Sequence, residues 1–261
     1  MARIAFVYDD QALASAGASA AAVTEALTGY PKENLIGADR KRRWQTTASP
    51  AGTINLDIDL GAVPTVPIGG FGILYLLSDA AAGAHPLIDE RSGTNGDYST
   101  GFASRATQTA AYWNDTRDWC DTFASDATYT DRYWRIACTS VGSSFSIGKI
   151  MLGSGKDFGK LYAAGSEFAW QVPTLRARTA AQEPVDWRAG EPRKQFAWNY
   201  RAQSDADRDI FQRLAQQRYP FAVLDSTGES NHVVLADGFS TPFGHVFDPL
   251  WNVGLTMEQM P

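Results

Sequence analysis

The stretch KQFAWNYR, residues 194–201, decides how the last third of this chain is expected to fold. Its aromatic side chains, Phe196, Trp198 and Tyr200, alternate with polar or small ones. That period of two is typical of a β-strand with one buried face. We therefore predict a strand here, and the neighbouring sequence can be interpreted outward from it.

The sequence after this strand predicts a compact unit with one packed helix. A helix is expected over about residues 205–217, because Ser204 can cap its first turn and an apolar stripe follows at helical spacing. Strands are predicted over residues 221–224 and 251–257, the second with strict alternation. The apolar face of that last strand includes Trp251, Val253 and Leu255.

A second alternating stretch, TINLDIDLG at residues 53–61, predicts a strand in the first half of the chain. Isoleucine and leucine face inward in this pattern, and Asp57 and Asp59 face outward. Two carboxylates on one strand face stand only about 7 Å apart, which is compatible with paired acid–base catalysis. The outward face of a surface strand is also the ordinary place for aspartate, and we predict that ordinary role.

Composition indicates a folded protein rather than a disordered or nucleic-acid-binding one. The chain has 261 residues, 44% hydrophobic content and a formal net charge of −6. An acidic chain does not attract polyanions, so specific nucleic-acid binding is not predicted. We predict neither a signal peptide nor a transmembrane segment, since the start is short and early charged and no apolar run approaches a membrane span. The two cysteines, Cys120 and Cys138, are compatible with a disulfide or with free thiols.

Apart from the Asp57/Asp59 pair, no arrangement of residues with catalytic or metal-binding spacing is found in the sequence. The three histidines, His85, His232 and His245, lack the spacing of a zinc site, and no G-x-S-x-G nucleophile motif or EF-hand loop occurs. We therefore predict no catalytic residue, metal ligand or cofactor, and a protein that is not an enzyme.

The glycine-rich segment at residues 153–159 predicts a domain boundary. We divide the chain into residues 1–155 and residues 156–261. The sequence leaves open which of the two domains the first strand, Ile4–Tyr8, joins.

The first domain resembles the discoidin family, the coagulation factor type C modules with a galactose-binding-like fold. The resemblance is carried by RRWQT (42–46), INLDIDLG (54–61), DRYWRI (131–136) and IGKIMLG (147–153), in that order. It implies a mostly β protein with a jelly-roll β-sandwich, whose end loops in this family can bind sugars or lipids. The aromatic side chains that could stack on a sugar are Trp44, Trp113 and Trp119.

The second domain, and the combination of the two, resembles tail-tip proteins of long-tailed phages and prophages. The resemblance is carried by QFAWNYRAQSDADRDIFQRLAQQRYPFAVLD (195–225) and WNVGLTMEQM (251–260). It implies a tail-tube or distal-tail-like β-barrel module with one α-helix. Such modules form a ring, usually of six copies, at the distal end of the tail tube, through which DNA passes. The residues expected on the ring-interface strands are Phe196, Trp198, Tyr200, Trp251, Val253 and Leu255.

The main hypothesis is therefore a structural protein of a virion tail, assembled in the host cytoplasm, with the discoidin-like domain on the outside. Its expected partners are further copies of itself, the tail tube and other tail-tip or hub proteins, and a host-surface glycan. The alternative is a carbohydrate-binding protein that recognises a host surface. A glycoside hydrolase with an accessory module ranks third. The ring order, the contacting tail proteins and the host stay open.

Overall fold

A computed structural model describes most of the chain in two compact units. The described residues are 5–14, 19–23, 27–37, 42–47, 52–78, 87–108, 119–139, 144–157, 167–172, 174–178, 184–188, 193–202, 204–216, 221–224, 230–234, 243–247 and 250–259. Unit 1 comprises Met1–Lys160 and Phe221–Asn231, and unit 2 comprises Leu161–Pro220 and His232–Pro261.

The described elements are almost all strands. In chain order they are β1 (Ala5–Tyr8), α1 (Gln11–Ala14), β2 (Ser19–Val23), a 3-10 helix (Lys32–Leu35), β3 (Trp44–Gln45), β4 (Thr53–Asp59), β5 (Ile68–Ser78), β6 (Leu87–Gly93), β7 (Ala103–Gln108), β8 (Trp119–Tyr129), β9 (Tyr133–Thr139), β10 (Phe145–Ile147), β11 (Lys149–Asp157), β12 (Glu167–Gln171), β13 (Thr174–Arg178), β14 (Pro184–Arg188), β15 (Arg193–Ala202), α2 (Asp205–Gln216), β16 (Phe221–Leu224), β17 (Ser230–Val234), β18 (Phe243–Phe247) and β19 (Leu250–Gln259).

Unit 1 is a β-sandwich, as the discoidin resemblance implies. One sheet has the strand order β2-β4-β9-β6-β7, and the other has the order β16-β1-β11-β5-β10-β3 with β8 also paired to β5. Both sheets contribute their alternate apolar side chains to one buried cluster. The members from the first sheet include Ile54, Leu56, Ile58, Trp134 and Ile136, and those from the second include Ile68, Phe145, Ile147, Ile150 and Leu152.

The first strand belongs to unit 1, which answers the question that the sequence left open. β1 lies between β11 and β16, antiparallel to both. β16 was expected with the C-terminal module, but residues 221–231 return to unit 1 instead. A strand of four residues carries no marker of its sheet, so local sequence does not reveal this return.

The glycines at residues 153 and 155 allow close strand packing. β11 continues through them, and a side chain at Gly153 would overlap the carbonyl oxygen of Tyr8. A Cβ at Gly155 would lie 2.8 Å from the Cα of Gly70 on β5. These positions require glycine because backbones meet there. Unit 1 extends beyond them to Lys160.

A buried ion pair joins the end of β1 to the start of β11. The ammonium of Lys149 lies 3.1 Å from Oδ2 of Asp10, and both side chains are essentially inaccessible to solvent. The other carboxylate oxygen accepts hydrogen bonds from the amides of Ala12 and Leu152. The carboxylate therefore links three segments of unit 1 through its two oxygens.

Unit 2 combines a sheet, a hairpin and one helix. β15 pairs with β12 and β19, β19 also pairs with β17 and β18, and β13 and β14 form a separate hairpin. The helix α2 begins as predicted, because the amide of Asp207 donates to Oγ of Ser204 at 3.1 Å. Phe211 and Leu214 are its buried residues.

Unit 2 does not show the barrel that the tail-tube resemblance implies. Among its described residues the strand pairings do not close on themselves. Within the described part of the chain, neither helix is long and apolar enough to cross a membrane.

Candidate functional site

Three chain turns of unit 1 meet at one end of its five-stranded sheet. Asp59 at the end of β4 is in register with Tyr133 at the start of β9, and Tyr133 is in register with Gly93 at the end of β6. The segments that follow Asp59, precede Tyr133 and follow Gly93 are therefore neighbours. Loops at the end of a rigid sandwich are where binding residues commonly lie.

Two aspartate–arginine pairs lie on the outward face of the sheet at this end. Arg135 donates to Asp57 through Nε at 2.6 Å and Nη2 at 2.8 Å. Arg132 holds Asp59 in the same two-pronged geometry, at 2.6 Å and 2.8 Å. Such bidentate pairs fix both side chains in orientation. Both aspartates lie on the outward face, as predicted, but Asp57 is buried rather than exposed, and each carboxylate is held by an arginine.

The two pairs differ in access to solvent. In the outer pair, the side chains of Arg132 and Asp59 are 35% and 22% exposed. In the inner pair, the side chains of Arg135 and Asp57 are 19% and 4% exposed. The same chemical group is thus presented once to solvent and once beneath a cover.

The cover is the loop between β6 and β7, residues 94–102. Tyr98 stacks on Phe102 with ring centroids 5.4 Å apart and meets the ring of Tyr133 edge-on at 5.6 Å. The guanidinium carbon of Arg135 lies 5.7 Å from the Tyr98 ring centroid and 5.5 Å from that of Phe102. Cation–π attraction therefore adds to ring stacking in holding this loop on the inner pair.

Consecutive side chain-to-backbone turns shape the loop. Oδ1 of Asn95 accepts from the amide of Asp97 at 3.3 Å, and Oδ1 of Asp97 accepts from the amide of Ser99 at 2.8 Å. The hydrogen bonds from Ser99 hold the pKa of Asp97 below its usual value. The loop approaches the sheet closely, since a Cβ at Gly96 would lie 2.9 Å from the ring of Tyr133.

Tyr98 has a strained backbone conformation in this loop. Its backbone has φ +56°, in the left-handed region that bulky residues rarely occupy. Its ring is buried, and its hydroxyl has no hydrogen-bond partner in the described structure. Burial raises the pKa of Tyr98, and the charges of Asp59 and Asp57 raise it further. The hydroxyl is therefore protonated and can donate.

A third cluster fixes the turn that carries Arg132. Asp131 accepts from Nη2 of Arg105 at 2.9 Å and from Oγ of Ser92, and Arg105 also lies over the ring of Tyr129 at 4.3 Å. The indole of Trp134 donates to the carbonyl of Asp131 at 3.0 Å. The backbone beside Arg132 is consequently held in place before any ligand arrives.

The outer pair retains hydrogen-bonding capacity. Oδ1 of Asp59 accepts from Arg132 and from the amide of Gly61 at 2.7 Å, whereas Oδ2 accepts only from Arg132 among the described residues. A carboxylate oxygen can accept two hydrogen bonds, and a guanidinium has five N–H donors. The hydrogen bond from Arg132 holds the pKa of Asp59 below its usual value. A charged acceptor and charged donors therefore stand side by side at the surface.

The described residues contain no group of three or more His, Cys, Asp or Glu side chains that could hold a metal ion. The thiol of Cys138 is free and buried, and burial raises its pKa. Cys138 is thus an unreactive core residue rather than half of a disulfide.

None of the aromatic residues selected from the sequence is seen at this site. Trp44 is completely buried, packed edge-on against Phe145 at 5.7 Å, and offers no face to a ligand. Trp113 and the side chain of Trp119 lie outside what the structure describes. So do the side chains of Phe196, Trp198, Tyr200, Trp251 and Leu255, of which only the strand register is described. Val253, in register with Tyr200, is buried within unit 2.

The residues that do form the site could have been found by pairing two strands. Asp57 and Arg135 are directly opposite in register, and both lie on the outward faces that alternation predicts. Opposite charges facing each other across neighbouring strands attract. Nothing in the local sequence reveals that Tyr98 and Phe102 fold back over this pair.

Comparisons with known proteins give structural matches only. No family model and no curated protein matches the chain. One solved structure that matches is the family 32 carbohydrate-binding module of Clostridium perfringens NanJ in complex with galactose, with 17% identity, a TM-score of 0.43 and coverage of 58% of this chain and 99% of that one.

Two further matches are of the same kind. CBM32-1 from a family 31 glycoside hydrolase of Clostridium perfringens has 11% identity, a TM-score of 0.41 and coverage of 54% of this chain and 96% of that one. Chitosan-binding module 1 from a Paenibacillus chitosanase/glucanase has 14% identity, a TM-score of 0.42 and coverage of 56% and 98%. These neighbours are carbohydrate-binding modules, and they give the tail-tip resemblance no support. At such TM-scores no function of this chain follows from them.

Proposed function

We propose that unit 1 is a carbohydrate-binding module without catalytic activity, and that its site is the Asp59–Arg132 pair at the loop end of the sandwich. The observation that supports this proposal is the partly exposed bidentate pair, which has unused donors and acceptors beside the half-buried ring of Tyr133. The hydrogen-bonding pattern of that pair supports the proposed function.

Neighbouring hydroxyls on a sugar ring present donors and acceptors at a fixed short spacing. One hydroxyl can donate to Oδ2 of Asp59 while it or its neighbour accepts from the guanidinium of Arg132. Hydrogen bonds to charged groups contribute about 1.5–3 kcal/mol each. A held ion pair also loses little conformational entropy on binding, since Arg132 already lies over the Tyr133 ring at 4.9 Å.

The site is better suited to a neutral sugar than to a charged ligand. The arginines of both pairs are each matched by a carboxylate, so neither a phosphate nor an ammonium group meets an uncompensated opposite charge here. We therefore expect selection by hydroxyl arrangement and little dependence on salt.

The test is a glycan array with wild-type protein, followed by calorimetric titration of the sugars that bind. Asp59→Asn removes the charge of the acceptor at constant shape, and we expect affinity to fall at least about tenfold, the value of one charged hydrogen bond. Arg132→Lys keeps the positive charge but removes the planar guanidinium with its two parallel donors, so this variant should also bind the sugar more weakly.

The matched control is Asp89→Asn. Asp89 also holds an arginine on the outward face of this sheet, with Arg91 Nε at 2.6 Å, and it lies four positions before Gly93, the residue of β6 at the loop end. Its replacement should leave sugar affinity within about twofold. An array with no binding, or equal losses in the two asparagine variants, contradicts the proposal.

A second candidate function is assembly through unit 2, in line with the tail-tip hypothesis. The observation that favours it is the exposed apolar surface at β12, where Trp170 and Val172 are 65% and 44% exposed. Exposed tryptophan is enriched at protein interfaces. In this case further copies of the chain cover Trp170, as expected for a ring or another closed assembly.

Mass photometry over a range of concentrations tests the assembly function. We expect oligomers for the wild type and a shift to monomer for Trp170→Ser. A wild-type chain that stays monomeric at micromolar concentration would remove this candidate and leave the sugar site unaffected.

A further inference from the structure

The inner pair, Asp57 and Arg135, has the chemistry of the outer pair but is covered by the side chain of Tyr98. The two aspartates lie two residues apart on β4, so both carboxylates face outward about 7 Å apart. That spacing is comparable with the distance between neighbouring rings of an oligosaccharide. The sheet therefore carries two aspartate–arginine pairs of the same kind, and the loop at residues 94–102 covers the inner one.

Tyr98 covers the inner pair with an unpartnered hydroxyl and a strained backbone. The ring is only 8% exposed, yet its hydroxyl has no hydrogen-bond partner in the described structure. A buried hydroxyl without a partner destabilises the arrangement that buries it. The left-handed backbone at Tyr98 adds a further cost to the closed loop. The closed arrangement is stabilised by ring contacts and destabilised by this residue's own polar group and backbone.

The loop has the form of a cover that can leave the sheet as a unit. Its internal hydrogen bonds join Asn95 to Asp97 and Asp97 to Ser99, so they do not depend on contact with the sheet. Its contacts with the sheet include those of the Tyr98 and Phe102 rings with Tyr133 and Arg135 and the close approach of Gly96 to the Tyr133 ring. Opening would expose the inner pair beside the outer one.

We infer that Tyr98 occupies a second sugar subsite, at Asp57 and Arg135, and that a ligand of two or more rings displaces it. This inference rests on the proposed sugar function of the outer pair. The planar Tyr98 ring lies where a second sugar ring would lie, against the Arg135 guanidinium and the Phe102 ring. A sugar hydroxyl in that place can donate to Asp57 and accept from Arg135, whereas the phenol hydroxyl is without a partner.

The first test is Tyr98→Phe, which keeps the ring and removes the unpartnered hydroxyl. The closed loop should become more stable, so the opening equilibrium should fall roughly 5- to 150-fold. Relaxation-dispersion nuclear magnetic resonance of residues 94–101 and of Arg135 measures that equilibrium and requires no sugar. An unchanged or larger open population in this variant contradicts the inference.

The second test is Tyr98→Gly, because glycine accepts φ +56° and leaves the subsite empty. The single-ring probes are galactose, glucose and mannose, and the two-ring probes are lactose, cellobiose and mannobiose. We expect Tyr98→Gly to bind a two-ring probe at least about fivefold more tightly than wild type, with single-ring affinity within about twofold. Tyr98→Phe should weaken two-ring binding and leave single-ring binding unchanged.

The outcomes separate this inference from the proposed function. If neither protein binds any probe, the sugar function and the subsite are both wrong. If wild type binds and the two-ring to single-ring affinity ratio stays the same in both Tyr98 variants, only the subsite is wrong. If both variants lose single-ring and two-ring binding equally, Tyr98 only supports the outer pair, which also contradicts the subsite.

Discussion

The buried pair of Asp10 and Lys149 allows the most quantitative prediction about stability. Asp10→Ala leaves the ammonium of Lys149 in the core without a counter-charge, and the amides of Ala12 and Leu152 lose their acceptor. Removing one partner of a buried ion pair costs about 3–5 kcal/mol. Marginal domains have only about 5–15 kcal/mol in total, so we expect unit 1 to be close to unfolding in this variant.

The reverse change should be milder. In Lys149→Met the carboxylate keeps both amide donors, so we expect a loss below that of Asp10→Ala. The double variant Asp10→Asn/Lys149→Met carries no buried charge and keeps an acceptor for the amides. We expect it to lie within about 2 kcal/mol of wild type, because replacing a whole buried pair is often nearly neutral.

Urea unfolding of the four proteins, followed by tryptophan fluorescence and circular dichroism, measures these differences. Because the chain has two units, the transition of unit 1 is fitted separately from that of unit 2. Single-variant losses below about 1 kcal/mol, or a double variant less stable than both singles combined, would refute the assigned role of the pair.

Three further predictions concern other parts of the fold. Gly153→Ala should prevent folding of unit 1, because its Cβ would overlap the Tyr8 carbonyl oxygen. Loss of the soluble peak that wild type gives on gel filtration checks this, and a wild-type elution profile would be inconsistent with the strand packing. Ser204→Ala should destabilise unit 2 by about 1 kcal/mol through loss of the helix cap, measured by thermal unfolding; an unchanged transition would show that the cap contributes nothing. Sugar affinity should stay constant as the pH falls from neutral and should be lost only below pH 3.8, the ordinary pKa of an aspartate. Arg132 lowers the pKa of Asp59, so the carboxylate is protonated only as the pH falls through that lowered value. Titrations at a series of pH values check this, and a loss of affinity near pH 6 would point to another group.

Alternation in the sequence was sufficient to predict β4. The pattern at residues 53–59 assigns inward and outward faces correctly, and the structure confirms Ile54, Leu56 and Ile58 as core. The cap at Ser204 likewise predicted the start of α2. These features depend on neighbours close in sequence, which is why one sequence reveals them.

Features that depend on contacts distant in sequence were missed. The alanine-rich residues 19–23 form a strand because they pair with β4, against the helical preference of alanine. The proline-containing residues 184–188 form β14, because pairing with β13 outweighs their local composition. Trp44 was selected for its aromatic ring, but aromatic residues are as useful to a core as to a ligand, and burial decides between them.

The site itself was only half visible from the sequence. Asp57 and Asp59 were noticed as a carboxylate pair and interpreted as an ordinary surface feature. Their role depends on Arg135 and Arg132, which are more than seventy positions away and become neighbours only through the β4–β9 register. The Tyr98 loop adds a third segment that no local pattern predicts.

Hydrogen–deuterium exchange of the full chain, with and without a sugar that binds on the array, tests the central claim most directly. We predict protection in peptides covering residues 57–61 and 131–135, the segments of the Asp59–Arg132 pair. Protection confined to the peptide covering residues 167–172 around Trp170, with none at the sandwich end, would contradict the claim and place the sugar site in unit 2.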